Sequence, residues 1–282
     1  MRAFVLAGGG SLGAVQAGML QTLLAAGIVP DLVVGTSVGA LNGALLAGAP
    51  TLAGARDLSE LWRGLRRRDV FPVKPLWGAW AALGSRPSLV PASGLAALVD
   101  RNLRFDDLED APVPLAVVTT DLQSGAEVVL DTGPARAALL ASSAIPGVLP
   151  SVTIAGRVLV DGAVSDNTPI GEAVRRGASE VWVLPSGFPC ALKRPPESML
   201  PVVLQALTLL IGQRLLRDLQ VEHGVPVHFV PPLCPVQVPP HDFTQGGQLI
   251  DRAAAATAQW LAQGLPTGAE RLLRPHHHPL PG

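Results

Sequence analysis

Residues 1–43, MRAFVLAGGGSLGAVQAGMLQTLLAAGIVPDLVVGTSVGALNG, contain two glycine-flanked turns, each preceded by a short apolar run and followed by a helical pattern. Phe4–Leu6 reads as a buried strand. Ala14–Ala26 reads as a helix carrying Val15, Met19, Leu20 and Leu23 on one face, and Leu32–Val34 as a second strand. This is a βαβ unit. A single joining helix sets its two strands side by side, so both turns fall at the same sheet edge.

The alternation continues outward. Helices are predicted at Val38–Leu46, Ala53–Arg67, Pro134–Ser142, Ile170–Arg176, Met199–Gln220 and Gly247–Gln263. Strands are predicted at Leu115–Thr119, Ala126–Leu130, Arg157–Val160, Val181–Leu184 and Val227–Val230. The Pro/Trp-rich stretch VFPVKPLWGAW at 70–80 resists assignment. Such a pattern implies an α/β fold, a three-layer α/β/α sandwich around a mostly parallel central sheet. With no internal repeat and no linker, one domain is expected over 1–264, followed by a Pro/His-rich tail at 265–282 that carries His276 to His278.

Composition narrows the function classes. The chain has 282 residues, enough for a sizeable core, and a formal net charge of −1, which provides no electrostatic footprint for nucleic acid. Two cysteines, Cys190 and Cys234, are too few for a disulfide framework and lack the spacing of a zinc site, so a reducing, cytoplasmic setting is expected. The apolar stretch Ala3–Ala7 is too short for a signal-peptide core. Met199–Ile211, interrupted by Gln205 and Thr208, falls short of the roughly 20 apolar residues of a bilayer span and reads as a packed helix in preference to a membrane-inserting one.

The two turns carry the chemistry. Gly8, Gly10 and Gly13 satisfy the G-x-G-x-x-G of a dinucleotide loop, which leaves a nucleotide-dependent oxidoreductase open. That fingerprint also wants an acid at the far end of the second strand, whereas Asp31 precedes LVVGTS. The carboxyl end of that strand bears a serine instead. Gly35, Ser37 and Gly39 form G-x-S-x-G between strand and helix, the setting of a nucleophile elbow, although a serine there can also merely cap the helix. At a helix N-terminus Ser37 is favourably placed for a developing alkoxide. The glycine loop beside it suits an oxyanion hole, whose backbone N–H groups each lower the barrier by about 3 kcal/mol.

A serine needs a base. His223, His228 and His241 come late enough for a Ser-Asp-His order, but only about thirty residues precede the elbow, too few for the strands that come first in that fold. The strand ending at Val160 runs into DGAVSDNTP, which sets Asp161 and Gly162 at a strand terminus; Asp-Gly is also the strongest short hairpin signal.

GGGSLG, GTSVG and DGA, in this order, resemble the patatin-like phospholipases. TDLQSG at 120–125, ASSAIPGVLP at 141–150, NTP at 167–169 and the DF…G…LID stretch of 242–251 extend the resemblance over most of the chain. It implies a lipid acyl hydrolase with a Ser/Asp dyad and no catalytic histidine. Ser37 would be the nucleophile and Asp161 the base, with the amides of Gly9, Gly10 and Ser11 as oxyanion donors. No metal or cofactor is needed. Many members have a basic residue where this chain has Leu12, which keeps open a weak or inactive lipid-binding or regulatory scaffold.

Ile145, Val148 and Leu149, together with Phe71, Leu76, Trp77 and Trp80, are candidates for an acyl-binding wall. Trp77 and Trp80 with Lys74 and Arg66–Arg68 suit peripheral contact with a membrane, or form an irregular loop over the core. A lipid or other acyl ester is the expected partner; the sequence is silent on oligomeric state.

Overall fold

The computed structural model describes residues 1–72, 88–187, 195, 197–218, 220–234, 236, 238–239 and 241–265. The strands are β1 Arg2–Leu6, β2 Leu32–Thr36, β3 Leu115–Asp121, β4 Glu127–Leu130, β5 Val152–Ile154, β6 Arg157–Asp161, β7 Glu180–Leu184 and β8 Val227–Phe229. They form one sheet in which β3, β2, β1, β7 and β8 are successive parallel neighbours, while β4 and β6 pair antiparallel with β3, and β5 antiparallel with β6. As expected, β1 and β2 lie side by side, with Leu6 opposite Gly35.

The helices are α1 Gly13–Ala25, α2 Val38–Gly48, α3 Leu52–Gly64, α4 Arg67–Val70, α5 Ser93–Asn102, α6 Ala135–Ser142, α7 Ile170–Arg175, α8 Met199–Asp218 and α9 Gly246–Ala262. The middle positions of the parallel strands β1, β2, β3 and β7 are apolar because both faces are covered. Phe4, Leu6, Val33, Leu115, Val117 and Trp182 pack with residues of α1, α2, α3, α5, α6 and α9. Their alternates Ala3, Val5, Val34, Ala116 and Val181 pack on the other face with Ile170 and Ala173 of α7 and Leu215 of α8. The period of two thus divides each strand between two cores, and the three-layer architecture follows.

Several elements depart from the sequence reading. The long predicted helix after α2 breaks at Gly64, and α4 follows as a single turn. Helix α5 and strand β5 had no counterpart in the prediction. Asp161-Gly162 is not a hairpin turn: β5 and β6 are joined at Ala155 and Gly156, both in the left-handed region (φ 49° and 78°), and Gly162–Val164 forms a 3-10 turn. Met199–Ile211 is not packed along its described length, since Val202, Val203, Leu209 and Leu210 are exposed. No helix among the described residues is long and apolar enough to cross a membrane. Leu76, Trp77, Trp80, Lys74, Cys190 and the tail beyond Leu265 lie outside the described residues.

The glycines of the second turn have a packing role as well as a local one. A methyl group on Gly39 would collide with the carbonyl oxygen of Leu6, so the first turn of α2 touches the end of β1 only without a side chain there. The Gly39→Ala variant is expected to lose about 3 kcal/mol of unfolding free energy in urea titration. A change under about 0.5 kcal/mol would show that this close approach is dispensable.

Candidate active site

The site is set by how strands share the edges of β3. β4 pairs with Val117 to Thr120 on one edge. On the opposite edge β2 pairs as far as Thr36 opposite Val118, and β6 begins with Asp161 opposite Thr119. β2 and β6 therefore arrive from opposite directions and stop at adjacent rungs. Ser37 is the next residue after β2, and Asp161 is the last of β6. Their side chains meet: Ser37 Oγ donates to Asp161 Oδ2 at 2.7 Å, across 124 residues of sequence.

Ser142, at the end of α6, bridges the junction. Its hydroxyl donates to the Val118 carbonyl at 2.6 Å and accepts from the Ser37 N–H at 2.8 Å, extending the ladder by one rung where β2 leaves it. Gly162 follows Asp161 directly, against the Val118 carbonyl and the Thr36 methyl. The backbone of Ser37 is strained, with φ 55° and ψ −125°, a conformation that glycine adopts freely and that costs another residue on the order of 1–3 kcal/mol. That turn presents Oγ to the carboxylate rather than capping α2, for which no side-chain cap bond forms.

Asp161 is 4 % exposed. Burial disfavours its ionised form and raises its pKa to about 6, opposed by the N–H of Ala163 on Oδ1 and the hydroxyl of Ser37 on Oδ2. The carboxyl is thus a stronger base than an exposed aspartate, yet still ionised at neutral pH. The nearby Asp166 is likewise pushed up to about 6 by burial, opposed by Arg214 at 3.6 Å.

The glycine loop follows β1 and abuts the same junction. A Cβ on Gly8 would lie 3.1 Å from the Ser37 Cβ and 2.5 Å from Asn167 Oδ1, so the loop reaches Ser37 only as bare backbone. The Gly8 carbonyl is tied back by Ser186 Oγ at 2.6 Å, and Gly10 sits at φ 60°. Among the described residues, no oxygen is seen accepting from the amides of Gly9, Gly10 or Ser11, whereas Leu12 N–H is spent on the Gly9 carbonyl. Gly13 opens α1 against Val38 and Trp62, and Gly35 lies in β2 against Ala40.

Behind the loop runs a buried polar chain that sequence reasoning missed. Trp62 Nε1 donates to Asn42 Oδ1, and Asn42 Nδ2 donates to Gln16 Oε1 and to the Gly13 carbonyl. Gln16 Nε2 then donates to the carbonyls of Ala7 and Leu184. Both ends of the loop are held by side chains whose hydrogen-bonding groups are used up inside the core.

Gly10, Ser37 and Val38 also line a narrow cavity. The rest of its wall is largely apolar and comes from α2, α3, α5 and α6, with Phe71, Leu149 and Phe243. Of the predicted wall, Phe71, Ile145 and Leu149 line it and Val148 does not. Leu95, Leu98 and Val99 of α5 were not foreseen, because that helix was not. Phe243 stacks on Trp62 at 6.1 Å, which gives the DF segment a place in the site. The Ser143 hydroxyl, buried at this wall, has no hydrogen-bond partner among the described residues.

The remaining candidates lie elsewhere. Asp31 is at the opposite end of β2 from Ser37, where its carboxylate accepts from the Arg2 N–H, and the carboxyl end of β2 carries Ser37 in place of the acid a dinucleotide loop requires. His228 is on β8, beside Glu180 and Trp182, and His223 bonds the Asp218 carbonyl.

The family model described as "Patatin-like phospholipase" matches residues 4–174. The chain is 28 % identical over 187 residues to patatin-like phospholipase domain-containing protein 7 of Rattus norvegicus, covering 66 % of this chain and 13 % of that protein. It is 31 % identical over 170 residues to the uncharacterized NTE family protein MT1093 of Mycobacterium tuberculosis, covering 60 % and 44 %. It therefore spans less than half the length of these relatives. VipD from Legionella pneumophila aligns with a TM-score of 0.44 at 14 % identity, over 89 % of this chain and 67 % of that one.

Replacing Ser37 by Gly and by Ala removes the same hydroxyl, but only glycine relaxes the backbone. Ser37→Gly is expected to be more stable than Ser37→Ala by about 1 kcal/mol in chemical denaturation. Equal stability would mean that the turn carries no strain.

Proposed function

The chain belongs to the patatin-like phospholipase family, and we propose that it hydrolyses fatty-acyl esters of lipids through an acyl-enzyme on Ser37, with Asp161 as the base. The observation that carries this reading is the 2.7 Å hydrogen bond from Ser37 Oγ to a buried carboxylate.

In the first step Asp161 Oδ2 takes the Ser37 proton as Oγ attacks the ester carbonyl carbon. The carbonyl oxygen becomes an oxyanion beside the glycine loop, where the N–H groups of Gly9, Gly10 and Ser11 are the available donors. Collapse expels the alcohol, which receives the proton from Asp161. Water then attacks the acyl-enzyme, with the same carboxylate as its base, and the fatty acid leaves with Ser37 restored. Burial is what makes a single carboxylate sufficient, because its raised proton affinity brings it closer to the hydroxyl it must deprotonate. The apolar cavity beginning at Ser37 gives the acyl chain somewhere to lie once the carbonyl is in place.

Leu12 bears on the oxyanion. Its side chain leans toward Gly187 and adds no charge, so stabilisation falls to the amides alone. A catalytically weak protein is the second reading, and Leu12 is the feature that favours it.

With a p-nitrophenyl acyl ester, Ser37→Ala and Asp161→Asn are each expected to lower kcat at least about a thousandfold. Replacement of His223, His228 and His241 by Gln should change it less than about threefold, since no histidine takes part in the proposed mechanism. Loss of activity in the histidine variant with Asp161→Asn still active would overturn the assignment. The ionised carboxyl is the active form and its pKa is about 6, so kcat/KM should be level above neutrality. Below pH 6 it should fall about tenfold per pH unit. A profile centred near 4 would place the base in an exposed position instead.

A further inference from the structure

Helix α8 presents a face that the catalytic reading does not use. Among its described side chains, Val202, Val203, Ala206, Leu209, Leu210, Gln213, Arg214 and Arg217 are exposed. At about 100° per residue they fall within an arc of about 140°. Along that arc the chemistry changes. The first three turns show Val202, Val203, Leu209 and Leu210, 47 %, 57 %, 50 % and 69 % exposed, and the last two show Arg214 and Arg217. No acidic residue occurs in the helix before Asp218.

The apolar half belongs to the catalytic end of the molecule. α8 leaves β7 and leads to β8, which is parallel to it, so the helix must start at the carboxyl edge of the sheet and run back. Its first buried described positions are Gly212 and Leu215, and Leu215 packs on the sheet face with Ile170 and Phe229. At the same level Arg214 reaches Asp166, five residues beyond Asp161. The thirteen helical residues before Gly212 extend about 20 Å at 1.5 Å per residue, on the side where Ser37 and Asp161 meet.

We propose that this half of α8 docks the protein on an anionic lipid bilayer, with Val203 and Leu210 entering the acyl boundary and Arg217 lying at the head groups. Several features select this partner over a second protein. The exposed stripe grades from apolar to basic along one axis, as the depth of a lipid leaflet does, with Arg214 held by Asp166 and Asp218 and Arg217 carrying the charge beyond it. It stands beside the edge where a lipid would have to leave the membrane to reach Ser37. The choice of partner rests on the acyl-lipid reading above.

The test is sedimentation of the full chain with phosphatidylcholine vesicles, with and without phosphatidylserine. The wild type should bind, and more tightly when phosphatidylserine is present. Val203→Glu/Leu210→Glu should weaken binding at least about tenfold, with hydrolysis of a short soluble p-nitrophenyl ester unchanged. Arg217→Gln should reduce the preference for phosphatidylserine by about fivefold. These changes are on the surface, and an unaltered thermal transition confirms that each variant folds. The proposal is overturned if the wild type ignores vesicles or the glutamate variant binds as well as wild type. It is also overturned if that variant only dissolves a dimer, because the stripe would then be an interface between copies. A wild type inert toward every ester, yet bound to vesicles through this face, would sink the hydrolase reading and leave the docking surface standing.

Discussion

The structure turns on a shortage of space along one edge of β3. Two strands share that edge, β2 ending at Thr36 opposite Val118 and β6 ending at Asp161 opposite Thr119. Neither can continue without running into the other, so both chains must turn away at the junction. The residue that turns out of β2 is Ser37, and the acid that terminates β6 meets it directly. Adjacent β3 residues act as a ruler, fixing the spacing of two side chains more than a hundred positions apart. The backbone ladders bring both partners to the junction, and Ser142 and the Ala163 N–H hold them there.

That arrangement opposes stability in two places. Ser37 occupies a backbone conformation suited to glycine, and Asp161 keeps its carboxyl where burial disfavours charge. Each costs on the order of a few kcal/mol. For the carboxyl the sign follows from its pKa, about 6 in the fold against 3.8 ordinarily: its contribution to stability falls as pH rises through that interval. Both costs are borne by a sheet whose central strands are buried on both faces. The Gln16–Asn42–Trp62 chain serves the same end by clamping the loop that faces the strained serine.

Much of this was legible from local chemistry. Alternating apolar runs located β1, β2, β3 and β7 because strands buried on both faces need unbroken apolar side chains. The G-x-S-x-G turn was legible because Gly35 and Gly39 flank a residue with nowhere else to go. The direction of β6 was not. Arg157–Val160 has the composition of any short strand, and only the Ala155-Gly156 turn makes it antiparallel, with alanine standing where glycine or asparagine would have signalled it. Helix α5 was hidden because its apolar positions Leu95, Leu98 and Val99 follow a proline-rich stretch without a strong cap. Ser142 was visible only as part of a resemblance, since a hydroxyl that completes another strand's ladder leaves no periodic trace. The exposed half of α8 was misread for a simple reason: apolar composition reports affinity for a nonaqueous phase, not whether that phase is a core.

The two helical layers then have different tasks under the proposed chemistry. The cavity that begins at Ser37 is walled by α2, α3, α5 and α6, all on one face of the sheet. Helix α8 packs on the other. An ester at the β2–β6 junction would therefore lie between them at the carboxyl edge, with its acyl chain directed into the first layer and its alcohol portion left toward the outside. Among the described residues the apolar cavity is the volume that suits the acyl chain, so its wall constrains the acid more tightly than any described surface constrains the alcohol. Selectivity should accordingly be read first in the length of the fatty acid released, and the side chains that set it are those on the α5 and α3 walls rather than those around the dyad.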